Sequence, residues 1–146
     1  QLIISTFDKL DEPDLFMPIN SKSLFNFANS SIDISDGLIS DLMRLINSQK
    51  LSFSIDVDKI PMSKKLNNFL KKNKKSKNKF LFNGDDYQIL FTSAKSNRSK
   101  IRNIANKLNQ KVTIIGKIND GYKKSLLKQG NKSLKLSNFK GYSHKF

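Results

Sequence analysis

A strand-to-helix turn in the sequence carries two acids and a serine that could bind a phosphate group and its metal ion. The stretch DISDG places Asp33, Ser35, Asp36 and Gly37 after a short apolar run. Helix N-termini offer free N–H groups and a partial positive charge, so phosphate binds there readily. Magnesium is commonly held by one or two carboxylates together with phosphate oxygens. The turn therefore predicts a metal–phosphate site; the structural alternative is a capped helix beside a solvated strand residue.

A second acidic turn precedes a later strand. In NGDDYQILF, Gly84 favours a tight turn, and Asp85 and Asp86 are adjacent. Adjacent residues of an extended chain point in opposite directions, so the two acids are not expected to chelate one ion together. One acid could face a ligand while the other fixes the turn. The alternative is an Asx-type turn without a ligand.

Nucleophilic catalysis and histidine- or thiolate-based metal sites have little support in the sequence. It contains one histidine, His144, and no cysteine, so neither a Ser/His/Asp grouping nor a thiolate ligand set is indicated. We interpret His144 as a surface or packing residue. Glycine-rich P-loop and dinucleotide-binding motifs are also absent. We therefore predict no catalytic side chain.

The strong positive charge favours anionic ligands without indicating a nucleic-acid module. The chain has 27 Lys+Arg against 12 Asp+Glu, giving a formal net charge of +15. A surface this basic attracts polyanions. The excess is lysine interspersed with asparagine, as in KKLNNFLKKNKKSKNKF, and RNP-type strands and zinc-finger spacings are absent. The composition therefore does not favour nucleic-acid binding, although it could help to hold an anionic ligand.

Length and hydropathy predict one folded domain outside the membrane. The sequence has 146 residues, of which 37% are hydrophobic and 27% charged, as in ordinary globular domains. No apolar run approaches the roughly 20 residues that span a bilayer, and the start lacks the features of a signal peptide. The absence of cysteine suits a reducing compartment, so we predict a cytoplasmic location.

Hydrophobic periodicity predicts alternating strands and helices that end in a hairpin. We expect residues 1 to about 28 to be an irregular lead-in. The helix after DISDG should run from Gly37 to about Ser48, with Ser35 or Asp36 as its N-cap. Both faces of the strand DYQILFTSA are apolar, which indicates an interior position in its sheet. The predicted strands are 30–35, 51–58, 86–94 and 111–118, the other helices are 63–72 and 96–110, and the hairpin is 123–136 with Gly130-Asn131 at its turn. The pattern predicts a layered α/β (α+β) domain with helices packed on a mixed sheet.

Several of these segments, taken in order, resemble one enzyme family. IDISDGLISDL, IDVDKIPMS, NGDDYQILFTS, VTIIGKI and the terminal GYSHKF follow one another as they do in the thiamine-monophosphate kinases. The resemblance covers the C-terminal half of that family, from about residue 18 to the end of the chain. It implies a C-terminal domain of the aminoimidazole ribonucleotide synthetase type over residues 18–146, with 1–17 as a lead-in segment. The reaction implied is transfer of a phosphoryl group from ATP to thiamine monophosphate.

The resemblance also implies roles for individual residues. Asp33 and Asp36 would bind Mg²⁺, Ser35 would contact ATP, Asp85 would contact the phosphate of thiamine monophosphate, and Tyr142 would lie against that substrate. These roles suit phosphoryl transfer, which depends on metal ions and positioning more than on a covalent nucleophile.

The sequence also departs from the family pattern. The family has a motif closer to Gly-Gly-Glu-Asp-Tyr-Glu where this chain has Asn83, Asp85 and Gln88, and an ending closer to Gly-Tyr-Asp-His-Phe where it has Ser143 and Lys145. Aspartate at position 85 is one methylene shorter than glutamate, which puts the contact with substrate in doubt.

The family's N-terminal domain, with further metal-binding acids, has no counterpart in these residues. We therefore expect the isolated chain to be inactive and to need that domain or its equivalent as a partner, and a completed enzyme to form a homodimer. The alternatives are a related ATP-dependent synthetase, such as selenophosphate or aminoimidazole ribonucleotide synthetase, a basic non-catalytic binding module that uses Lys64 to Lys79, and a folded domain that only completes a partner's site.

Overall fold

The structure, a computed structural model, describes residues 1–6, 23, 26–47, 49–77, 81, 88–121, 124–134 and 136. These residues contain seven strands, three α-helices and two short 3₁₀ turns. The strands are β1 (Leu2–Thr6), β2 (Ser30–Ile34), β3 (Leu51–Asp56), β4 (Gln88–Thr92), β5 (Lys111–Asp120), β6 (Leu126–Gln129) and β7 (Lys132–Leu134). The helices are α1 (Leu38–Leu45), α2 (Lys64–Lys72) and α3 (Arg98–Lys107), and the 3₁₀ turns are Val57–Lys59 and Lys95–Asn97.

All seven strands form one mixed sheet. Their order across the sheet is β2-β4-β1-β5-β3-β6-β7. Strands β3 and β6 pair in parallel, and the other neighbouring strands pair antiparallel. This confirms the predicted layered architecture, in which helices pack on a mixed sheet. It also confirms the interior position predicted for β4, which lies between β2 and β1.

The irregular lead-in predicted for the first residues is wrong over Leu2–Thr6, because these residues form β1 near the centre of the sheet. Leu2, Ile3 and Ile4 are all buried, and β1 pairs with β4 on one side and with β5 on the other. A strand covered on both faces carries a continuous apolar run rather than an alternating one. Since β1 belongs to this sheet, the sheet begins before the boundary that was predicted at residue 18.

The other predicted elements are present, with small differences in their bounds. Helix α1 ends at Leu45, before the predicted Ser48, and α2 and α3 lie within the predicted ranges. Strands β6 and β7 form the predicted hairpin, whose turn contains Gly130 at φ +53°. None of the helices in the described ranges is long and apolar enough to cross a membrane.

The two faces of the sheet have separate apolar cores. Alternate residues of a strand point to opposite faces, and on one face Ile34, Ile55 and Leu90 pack with Leu38 and Leu42 of α1. On the other face, Ile3 and Phe91 pack with Ile101 and Ala105 of α3. On the first face, α1 begins shortly after the end of β2. On the second face, α3 does not cover β3, β6 or the last part of β5.

A glycine allows β3 and β5 to approach closely at the centre of the sheet. The pairing of β1 with β5 shifts register between Leu2 and Ile3, opposite residues 114–116 of β5. Gly116 lies in this irregularity, and a Cβ atom added to it would lie 2.2 Å from the backbone oxygen of Ser54. That oxygen belongs to the backbone of a buried strand, so it cannot move aside without disturbing the sheet.

We predict that Gly116→Ala lowers the free energy of unfolding by about 3 kcal/mol, the upper part of the range for overpacked interiors. Gly121→Ala is the matched control, because no atom lies within 4 Å of its added Cβ and only its φ of +82° opposes the change. That strain is worth about 1 kcal/mol. Urea unfolding of both variants measures the difference, and equal losses of stability would contradict the predicted clash.

Candidate functional site

The DISDG turn joins the end of β2 to the start of α1. Its N-cap residue is Gly37, at φ 107° and ψ 146°, and no side chain caps the helix. The expectation that Ser35 or Asp36 caps α1 is therefore wrong. A positive φ of this size is accessible to glycine at little cost, and the first helical hydrogen bond runs from the backbone N–H of Asp41 to the carbonyl of Gly37 at 3.0 Å.

A buried carboxylate holds this turn from inside the helix. Asp41, in the first turn of α1, is 1% exposed. Its Oδ2 accepts hydrogen bonds from the backbone N–H groups of Ser35 at 2.9 Å and Asp36 at 3.0 Å. The expected direction of capping is thus reversed: Ser35 and Asp36 provide N–H donors, and a helix residue provides the acceptor. Two amides that would otherwise be available to an anion are bonded to this side chain.

Arg44 lies between the two acids of the turn and helix. Its guanidinium forms an ion pair with Asp36 and donates a hydrogen bond of 3.1 Å to Oδ1 of Asp41. The hydrogen bond to Asp36 is the main cause that raises the pKa of Arg44 above its usual value. The arginine therefore stays charged and offsets the repulsion between the two neighbouring carboxylates.

Asp33 occupies a different environment from Asp36. It lies on β2, opposite Ile89 of β4, and is exposed. Because Ile32 and Ile34 face the core shared with α1, the alternation of the strand directs Asp33 to the opposite face. Asp36, by contrast, is held in the turn beside Arg44. Among the residues described, no group of three or more His, Cys, Asp or Glu could hold a metal ion.

The described residues on either side of the second acidic segment, Leu81 and Gln88, lie beside the DISDG turn. Asp85, predicted to bind substrate, lies outside the described residues, as do Asp86, Tyr142 and His144. On one side of residues 82–87, the carbonyl of Leu81 accepts a hydrogen bond of 3.4 Å from the N–H of Ile39 in α1. On the other side, Gln88 pairs with Ile34. Both flanks of the GDD segment therefore adjoin the turn between β2 and α1.

Asp41 and Arg44 were not identified from the sequence as residues of the turn. The signal available was the position of Asp41 within the helix. It follows Leu38 by three residues and precedes Leu45 by four, so it shares their apolar face. A buried acid needs hydrogen-bond or charge partners, and here these are the two turn amides and Arg44.

Comparisons with known proteins identify sequences to which the chain is similar. Residues 8–128 match the family model of AIR synthase related protein, C-terminal domain. The chain is 37% identical over 122 residues to the thiamine-monophosphate kinase of Buchnera aphidicola subsp. Schizaphis graminum, covering 84% of this chain and 37% of that protein. It is 35% identical over 98 residues to the thiamine-monophosphate kinase of Pyrococcus horikoshii, covering 67% of this chain and 28% of that protein. The chain thus spans about a third of the length of these curated relatives.

Solved structures show the same likeness. The crystal structure of thiamine-monophosphate kinase from Stenotrophomonas maltophilia K279a matches with a TM-score of 0.63 and 30% identity, over 76% of this chain and 34% of that one. A structure of AaThiL complexed with AMPPCP and TMP matches with a TM-score of 0.53 and 31% identity, over 74% of this chain and 32% of that one.

We predict that Asp41→Ala lowers the free energy of unfolding by about 2 kcal/mol, because two partly buried N–H groups lose a charged acceptor. The backbone amide resonances of Ser35 and Asp36 should shift in the same variant. Asp120→Ala removes an exposed acid and serves as the control, with an expected change within about 0.5 kcal/mol. Chemical denaturation with amide NMR tests both effects, and a variant of native stability with unshifted amides would show that Asp41 does not hold the turn.

Proposed function

This chain belongs to the family of AIR synthase related proteins, of which it matches the C-terminal domain, and from that premise we propose that it is the C-terminal domain of a kinase that phosphorylates thiamine monophosphate with ATP. The observation that carries the proposal is the fixed turn between β2 and α1. There Asp41 orients Ser35 and Asp36 at the start of a helix. The family members to which the chain is similar are thiamine-monophosphate kinases.

The turn presents oxygen atoms suited to a magnesium ion. Asp33 is exposed and Asp36 is 26% exposed, so their carboxylates are accessible at the end of an edge strand. Hard divalent cations prefer such oxygens and share them with phosphate and water. The donor chemistry therefore fits Mg²⁺, with Asp33 and Asp36 as the proposed ligands. When bound, the ion would neutralise charge on the phosphate groups of ATP.

The chain's own residues would act by positioning. Ser35 lies beside Asp36, is exposed and could donate its hydroxyl to a phosphate oxygen of ATP. Arg44 holds the carboxylate of Asp36 in the absence of a cation, and its guanidinium has further donors for a phosphate oxygen. Phosphoryl transfer relies on such positioning and charge stabilisation rather than on a covalent nucleophile, consistent with the prediction that the chain supplies none.

The second substrate is proposed to lie on the neighbouring segment. A relative in the same family is described as a complex with AMPPCP and TMP, which supports ATP and thiamine monophosphate as the pair of substrates. Asp85 is proposed to contact the substrate phosphate because both flanks of its segment adjoin the DISDG turn. Tyr142 is also proposed to lie against thiamine monophosphate. The same proposal includes the remaining two thirds of the kinase, its assembly as a homodimer and its location in the cytoplasm.

The test is ligand-dependent thermal stability with Asp36→Asn. For the unaltered protein we expect AMPPCP with magnesium and thiamine monophosphate to raise the melting temperature, since a ligand at 100 times its Kd adds about 2.7 kcal/mol. The rise should require magnesium and should disappear in Asp36→Asn. Asp120→Asn, an exposed acid elsewhere, should keep it. A shift that is the same in all three proteins would place the ligands away from the DISDG turn.

A second prediction concerns Arg44. Its guanidinium competes with a metal ion for Asp36, and such an exposed ion pair is weak. Arg44→Gln should therefore strengthen magnesium binding by up to about fivefold. Calorimetric titration of magnesium in the presence of AMPPCP measures this. Arg102→Gln removes an equal charge from the exposed side of α3, and equal effects of the two variants would argue against direct competition.

A further inference from the structure

A basic cavity lies on the face of the sheet that carries α3. Its volume is about 460 Å³, and its floor includes Ser54 of β3 with Ile114 and Gly116 of β5. Lys117 lies opposite Ser54 on β5, and Lys128 lies opposite Asp56 on β6. The start of α3 and the preceding 3₁₀ turn form the opposite wall. The cavity therefore occupies the part of this face that the helix leaves uncovered.

Among the described residues, basic side chains are frequent in its lining. Five of the residues that line it are basic, and the single acid among them is Asp56; the five are Lys59, Lys95, Arg98, Lys117 and Lys128. Asp56 is already paired with Lys59, whose Nζ lies 3.0 Å from its Oδ2. The formal charge around the cavity is therefore five positive against one negative. Positive charges gathered around a concavity focus the electrostatic field and attract anions.

Hydrogen bonds fix both walls of the cavity. On one wall, Oδ2 of Asp58 accepts a hydrogen bond of 2.9 Å from the N–H of Gly130. This bond ties the β6–β7 turn to the 3₁₀ turn that carries Lys59, and so sets the spacing between Lys59 and Lys128. On the other wall, Nε of Arg98 donates a hydrogen bond of 3.2 Å to Oε1 of Gln1. The cationic side chains thus extend from a defined backbone frame.

The shape and lining of the cavity favour a small molecule over a nucleic acid. Sites for small ligands are concave and usually enclose about 300–1,000 Å³. Single-stranded nucleic acids are bound in extended grooves, with aromatic side chains on which the bases stack. None of the described residues that line this cavity is aromatic. Lysine ammonium groups bind phosphate as point charges, and several of them together match a ligand with several phosphate groups.

The cavity is separate from the DISDG turn. Strand β2, which leads into that turn, is at one edge of the sheet, and β5 lies three strands away. At a strand spacing near 4.8 Å this is roughly 14 Å. Asp36 lies in the turn that leads into α1 on the other face of the sheet. Asp33 points to the same face as the cavity but belongs to β2, at the edge of the sheet. A ligand in the cavity would therefore not share the carboxylates proposed for magnesium.

We propose that this cavity binds a small polyanion with two or more phosphate groups, without a requirement for a divalent cation. The probe is inorganic tripolyphosphate, titrated by calorimetry into the 146-residue protein in the presence of a chelator of divalent cations. The double variant Lys117→Gln/Lys128→Gln should weaken binding at least tenfold. Lys64→Gln/Lys71→Gln changes the net charge equally on the exposed surface of α2 and should change the affinity less than twofold.

Further variants and titrations test which ligand the cavity prefers and whether each variant is folded. Lys117→Arg/Lys128→Arg, which keeps both charges, should retain binding, and melting temperatures should show that every variant is folded. ATP titrated without magnesium distinguishes a bare phosphate chain from a nucleoside polyphosphate as the preferred ligand. Equal weakening by the two glutamine double variants would show diffuse attraction to a basic surface and overturn the proposal. Absence of tripolyphosphate binding to the unaltered protein would overturn it as well.

Discussion

The hydrogen bonds accepted by the carboxylate of Asp41 are the interaction on which the candidate site depends. An ionised carboxylate removed from water is costly unless its lone pairs are satisfied. Here the two turn amides and the guanidinium of Arg44 satisfy it. The same bonds determine where Ser35 and Asp36 lie relative to the helix. Stability and placement of the functional side chains therefore have one origin, and glycine at position 37 makes the required backbone path accessible.

The two faces of the sheet are covered differently. On the face of α1, apolar packing brings the end of β2, the start of the helix and the flanks of the second acidic segment to one place. On the other face, α3 covers β1 and β4 but does not cover β3 and β6, which border the basic cavity.

Most of the fold could be predicted from the sequence because its helices and most of its strands alternate clearly between apolar and polar residues. Strand β1 could not, since Leu2, Ile3 and Ile4 form a run too short to distinguish a buried strand from an irregular segment. In the candidate site, Ser35 and Asp36 were recognisable from a local pattern. The role of Asp41 depends on which backbone groups face the helix interior, and Arg44 pairs with an acid eight residues earlier. Periodicity carries no information about such contacts.

The central place of β1 has a consequence for the order in which the chain can fold during synthesis. Leu2 pairs with Thr92 on one side and with Gly116 on the other. Strand β1 therefore cannot complete its pairings until both β4 and β5 have been synthesised. Pairings so distant in sequence form slowly, and an apolar segment exposed in the meantime is prone to association. A chaperone that shields β1 would accordingly increase the yield of folded protein.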